Sequence, residues 1–265
     1  VNGELVDTTH VIESDAAVAI VTSKGDDGLD VIRHSCAHLM AQAVQRLFPT
    51  AQVTIGPTIE DGFFYDFAYD RPFTPEDLER IEKEMNNILS EGAVFDREVM
   101  TRDQAEELFR GLGEELKLSR LGDIPADAEI TIFRHGQFAD LCRGPHVHNT
   151  KQIGAVKLTE ASGTYFRGDE NGPKLQRIYG TAFESKKALK SHLARLEEAK
   201  KRDHRRVGQD LGLFHMDPLA PGSPFYLPKG MTLYNELISF VQDLYPKYGY
   251  NEILTPQLFR SDLFK

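Results

Sequence analysis

Apolar residues recur at helical spacing through Ile32, Cys36, Leu39, Ala43 and Leu47, behind the turn Asp26-Asp27-Gly28 and ahead of Pro49. This pattern predicts a strong helix over LDVIRHSCAHLMAQAVQRLF. Strand-like runs follow around Val53 to Ile55 and Phe63 to Phe67. Thr74-Pro75-Glu76-Asp77 opens a second helix, with a capping threonine, proline at the first helical position, and a buried stripe of Leu78, Ile81, Met85 and Ile88. Thr101 to Gln104 is a further capping box, leading a short helix through Phe109. Strands and turns with glycine punctuation fill Glu129 to Gly180. Phe183 to Val207 reads as one long charged connector helix, with Leu189, Leu193 and Leu196 on one side. A different module then begins, with a loop from Asp217 to Gly230 and a helix from Leu233 to Tyr248 carrying Leu233, Leu237, Val241 and Leu244. Gly249 stops that helix, and a strand is expected over Asn251 to Thr255, running into Pro256. At the other end, Glu4 to Val6 and Val18 to Thr22 are short β-rich runs that read as the tail of a small β-rich domain. The fold class is α+β: an antiparallel sheet packed with helices, then a connector helix and the first helix and strand of another domain.

Length and composition narrow this without deciding it. The 265 residues suggest about two domains, and 40% hydrophobic with 27% charged residues is ordinary globular usage. No run approaches the roughly 18 apolar residues a membrane span needs, and no charged-then-apolar leader is present, so no membrane partner is expected. Val1 stands where a natural start would have Met, and the natural start is expected upstream. Cys36 and Cys142 lie far apart and suggest no disulfide framework, which points to a reducing, cytoplasmic compartment. A net charge of -10 excludes a nonspecific nucleic-acid coat protein, although Lys186 to Arg206 is basic. On charge alone, that segment is a solvated helix face.

His34 and His38 share one helix face, a spacing suited to a metal site or an acid/base pair. Cys142-Arg143-Gly144-Pro145-His146 adds a thiol and a third imidazole, placed on a loop because Pro145 pushes Gly144 from helical geometry. Three histidines and a cysteine make a zinc set. A buried cysteine and a loop histidine that never meet the helix would look the same in composition.

The wording is more specific. RHSCAHLMAQAV, IGPTIEDGFFYDF, DLCRGPHV, YFRGD and LQRIYGTA closely resemble the editing domain of bacterial threonyl-tRNA synthetases. The HxxxH…CxxxH frame is shared with alanyl-tRNA synthetases, and YFRGD and LQRIYGTA point to the threonyl branch. RDHRRVGQDLGLFHMDPLAPGSPFYLPKGMTLYNELISFV resembles the junction into the class II catalytic domain, and KYGYNEILTPQL resembles class II motif 1, with Pro256 as its proline. The resemblance covers the whole chain. It implies the end of a TGS-like domain over residues 1–24, an editing domain over 25–184, a connector helix over 185–208 and the truncated start of the catalytic domain over 209–265.

Carried over by position, the family's editing pocket falls on His34, His38, Tyr65, Lys117, Asp140, Cys142 and His146. Alone, Tyr65 reads as a core aromatic and Lys117 as an ordinary surface lysine. The resemblance implies hydrolysis of seryl-tRNA(Thr) by an enzyme that joins threonine to tRNA(Thr). It also implies ATP, magnesium and zinc used at sites beyond this chain, a homodimer formed through the class II domain, and no cofactor for editing. Serine and threonine differ by one methyl, worth only about 1–3 kcal/mol of discrimination, so a second, hydrolytic sieve is needed. His34 is expected to orient or deprotonate water, Lys117 to face the oxyanion or the ribose hydroxyls, and Asp140 to hold the substrate ammonium or orient a histidine. Cys142 is expected to shape the pocket. Two other readings remain: a zinc-dependent hydrolase using His34, His38, Cys142 and His146, and an inactive tRNA-binding fragment.

Overall fold

The computed structural model describes residues 1–256, and the chain divides into two compact units at His192 and Leu193. The first is an α+β unit built around helix α1 (Asp26–Leu47). Asp26 and Asp27 stand in its first turn, where the backbone amides favour negative charge. From Ser35 to Val44 every residue of α1 is buried, a wider burial than the single stripe in the sequence. Ala37, Ala41 and Ala43 are small enough to let neighbours pack on several sides at once.

A five-stranded antiparallel sheet lies against α1. Its strands are β1 (Gln52–Val53), β2 (Thr58–Ile59), β3 (Gly62–Ala68), β7 (Ala155–Tyr165) and β8 (Lys174–Phe183), ordered β1-β3-β8-β7 with β2 pairing β3. Helix α2 (Pro75–Glu91) packs on α1 and β7, and its capping box joins Thr74 and Asp77. Phe63, Phe67, Ile81, Met85 and Ile178 close the shared core with Leu39 and Met40.

A three-stranded antiparallel sheet, β4 (Asp96–Met100), β5 (Ile130–His135) and β6 (Phe138–Leu141), carries a smaller core. Helices α3 (Arg102–Leu112) and α4 (Glu115–Leu121) contribute Ala105, Phe109 and Leu121 to it. The Thr101–Gln104 capping box is formed. Helix α4 is not predicted from the sequence, because seven residues give too short a period to read.

Four expected elements differ. Glu4–Val6 and Val18–Thr22 form no strands; one backbone hydrogen bond, from Asn2 to the Ala17 carbonyl, joins their neighbourhoods, and Ile20 is 88% exposed. The connector is two helices, α5 (Lys186–Lys201) and α6 (His204–Asp210), because the Asp203 side chain accepts from the Arg205 amide and caps a new start.

The second unit holds the hairpin of β9 (Phe214–Met216) and β10 (Pro224–Tyr226) and helix α7 (Pro228–Leu244), which begins earlier than its apolar stripe. Leu233, Leu237 and Val241 of that stripe are exposed. Asn251 to Thr255 is not a strand, since no described segment pairs with it and a strand exists only through its ladder. The motif that ends the chain continues into residues 257–258, outside the described residues.

Candidate active site

The four-residue spacing on α1 sets His34 one turn from His38, with ring centroids 5.3 Å apart and the ring planes nearly perpendicular. Strand β6 delivers Asp140, and the chain then leaves the sheet as the loop carrying Cys142 and His146. Gly144 turns that loop at φ +72, where a Cβ would meet the Phe133 ring at 2.7 Å. The loop folds back on α1, so Cys142 Sγ lies 3.1 Å from His34 Nε2 and 3.4 Å from His146 Nε2. The His146 ring stacks on Phe95 at 4.8 Å and meets Phe133 at 4.5 Å, which fixes its plane.

Ser35 locks the arrangement, and no motif pointed to it. Its hydroxyl donates to the Val31 carbonyl at 2.8 Å and accepts from the Val147 amide at 3.0 Å. With its proton used, Ser35 Oγ accepts from His146 Nδ1, 3.1 Å away. This leaves the His146 Nε2 lone pair toward Cys142.

On the opposite wall, α4 points Lys117 inward. Its ammonium donates to Asp140 Oδ1 and to the Tyr65 hydroxyl at 3.0 Å, while Tyr65 donates to Asp140 Oδ2 at 2.5 Å. Lys117 is 2% exposed, so the surface-lysine reading is wrong: it belongs to a buried ion pair. Tyr65 is fully buried and serves the core and this network together. Its ring fits only because position 56 is glycine, where a Cβ would lie 2.1 Å from Tyr65 Cδ2. Glu114 precedes Lys117 by one turn, accepts from Gln45 and from the Val53 amide at 2.9 Å, and ties α4 to α1 and β1.

These side chains surround a cleft of about 480 Å³ lined by His34, His38, Lys117, Asp140 and Cys142, with Gly56 and Pro57 opposite. Tyr65 and His146 stand behind its wall. Burial disfavours the charged form of each titrating group here. It lowers His34, with Asp140 and the Pro145 carbonyl opposing the shift. It drives His38 and His146 well below the usual histidine range, helped by the neighbouring imidazoles. The Cys142 thiol is pushed up to about 12, again by burial, so it stays neutral, with one proton that it can donate to only one of the two imidazoles at a time. Glu114 is raised to about 7 by burial. The cleft therefore holds neutral imidazoles beside one buried ion pair. His34, His38, Cys142 and His146 also offer ligand atoms within 4.8 Å of one another, a His/Cys group that could hold a metal ion.

The model of the threonyl and alanyl tRNA synthetase second additional domain matches residues 130–179, which include Asp140, Cys142 and His146. Across all 265 residues the chain is 54% identical to a threonine–tRNA ligase of Marinobacter nauticus, covering 41% of that protein. It is 51% identical over 265 residues to one of Legionella pneumophila, covering 42%. The Coxiella burnetii threonine–tRNA ligase is 48% identical over 264 residues, with 41% covered. Along its whole length the chain is similar to a segment of these threonine–tRNA ligases. It spans about two fifths of the length of these relatives.

Proposed function

We propose that the first unit hydrolyses seryl-tRNA(Thr), proofreading for an enzyme that attaches threonine to tRNA(Thr) with ATP. The observation that carries this reading is a cleft where a neutral imidazole, His34, stands beside the buried Lys117–Asp140 pair. Ester hydrolysis needs a proton acceptor for water and positive charge for the developing oxyanion. In this reading His34 takes the proton of an attacking water. Lys117 supplies the positive end of a field held rigid by Asp140 and Tyr65, and Asp140 orients His38 from 3.5 Å. Cys142, neutral and packed between His34 and His146, shapes the serine pocket; threonine's extra methyl is excluded by contact.

The same reading assigns residues 1–24 to the end of a TGS-like domain, 25–184 to the editing domain, 185–208 to a connector and 209–265 to the start of a class II catalytic domain. Attachment of threonine, with its ATP, magnesium and zinc, belongs to the longer enzyme, a cytoplasmic homodimer. A metal reading has one observation in its favour, the clustered His34, His38, Cys142 and His146. The 3.1 and 3.4 Å separations from Cys142 Sγ suit zinc bound at about 2.0–2.3 Å. A zinc held by three of these four residues would leave its fourth position to a water, which it would acidify.

The test is deacylation of seryl-tRNA(Thr) and threonyl-tRNA(Thr) by the purified chain. Hydrolysis of the first with the second spared is expected. Equal rates on both, or none on seryl-tRNA(Thr), reject the reading.

A further inference from the structure

Behind the cleft lies a second set of buried polar groups that this chemistry does not use. Gln42 follows His38 by one turn of α1, and its Nε2 donates to the His135 carbonyl at 3.4 Å, which leaves Oε1 turned elsewhere. His38, Gln42 and His135 are 2%, 3% and 1% exposed. Four of their polar atoms have no partner among the described residues: Nδ1 of His38, Oε1 of Gln42 and both ring nitrogens of His135. Buried polar atoms in native proteins are paired, and ordered water takes the place of missing protein partners. The His38 and His135 ring centroids lie 6.4 Å apart. One water spans about 4.6 Å between its partners, because two hydrogen bonds of about 2.8 Å meet near the tetrahedral angle at its oxygen, and nitrogens on the facing sides of the two rings lie closer together than the ring centroids.

We propose that Gln42 and His135 hold one ordered water against Nδ1 of His38, fixing the tautomer and orientation of that ring. The donors and acceptors balance. His38 Nε2 lies 3.5 Å from the Asp140 carboxylate, so it carries the ring proton and leaves Nδ1 a bare lone pair. The water donates one hydrogen to His38 Nδ1 and the other to Gln42 Oε1, and it accepts from one His135 N–H. Three of the four orphan atoms are then paired, and the fourth is the bare nitrogen of a neutral imidazole. Burial keeps His135 neutral, lowering it to about 4. His135 and Gln42 are positioning residues: they act on the cleft through His38, as outer-shell groups orient a histidine beside a carboxylate. The kinetic part of the test rests on the proofreading reading; the spectroscopic part does not.

The experiment uses the whole chain labelled with ¹⁵N-histidine. Long-range ¹H–¹⁵N spectra should show His38 as a single Nε2–H tautomer. Gln42→Leu and His135→Phe should each convert it to a tautomer mixture and lower kcat on seryl-tRNA(Thr) about tenfold, with KM unchanged. His135→Gln, which keeps a donor, should restore the single tautomer. Gln42→Leu, nearly isosteric, decides the matter if His135→Phe overfills the site. A single Nε2–H tautomer persisting in Gln42→Leu overturns the proposal. If no form hydrolyses seryl-tRNA(Thr), the proofreading reading fails and the tautomer result still stands or falls alone.

Discussion

Lys117 and Asp140 form an ion pair with both side chains 3% exposed, beside buried neutral histidines and a neutral thiol. Two charges leave water together here, and each depends on the other. Removing one partner of such a pair typically costs about 3–5 kcal/mol, because the other charge remains buried alone. Lys117→Met should therefore destabilise the first unit by about that amount. The double change Lys117→Met with Asp140→Asn should recover most of the loss. Urea unfolding of the three proteins checks this, and equal losses in the single and double variants would show that the pair is not the source.

His34 is the group placed to take a proton from water. His34→Ala should lower hydrolysis of seryl-tRNA(Thr) by about 10²–10³, the usual effect of losing one positioned catalytic group. No activity on threonyl-tRNA(Thr) should appear, since exclusion of its methyl is steric. In the full-length enzyme, charging with threonine should continue while seryl-tRNA(Thr) accumulates. Charging that fell in parallel with proofreading would make His34 a structural residue.

Metal removal separates the two chemistries that His34, His38, Cys142 and His146 allow. If water and protein groups suffice, treatment with a chelator should leave the deacylation rate unchanged. Zinc retained at one equivalent, with activity lost on stripping and regained on its return, would transfer the reaction to the metal reading.

Acid should weaken the fold before it reaches the ordinary carboxylates. His38 and His146 are held well below 6.5 and His135 is lowered to about 4, so the unfolded chain binds protons in this window that the folded one refuses. Stability is complete above about 6.5 and is lost as pH falls toward 4. Glu114, raised to about 7, works in the opposite sense over part of the range, binding a proton when folded that its unfolded form releases. Four histidines, His34 the fourth, against one carboxyl leave a net loss of about 1–4 kcal/mol per pH unit as pH falls. Denaturation midpoints at pH 7, 6 and 5 measure it; a flat profile would mean that the imidazoles titrate normally.

Signals confined to neighbouring residues were legible in the chain. Thr74 with Asp77 and Thr101 with Gln104 state their helix starts within four positions, and the His34–His38 spacing states a shared face. The wording of the sequence carried the family, and composition excluded a membrane helix. What tertiary structure decided depends on partners distant in sequence. Lys117 became buried because Asp140 and Tyr65, 23 and 52 positions away, accept its charge. Ser35 gained a role only when the loop brought His146 from 111 positions away. His135 and Gln42 carry no signal in the sequence until the end of β5 brings the His135 carbonyl to the Gln42 amide. The runs at Glu4–Val6, Val18–Thr22 and Asn251–Thr255 have strand composition but no described neighbour to pair with, and α5 ends where Asp203 caps a new helix. Caps and periodicity act over a turn of chain, whereas burial, ladder pairing and proton placement depend on residues that only the fold makes adjacent.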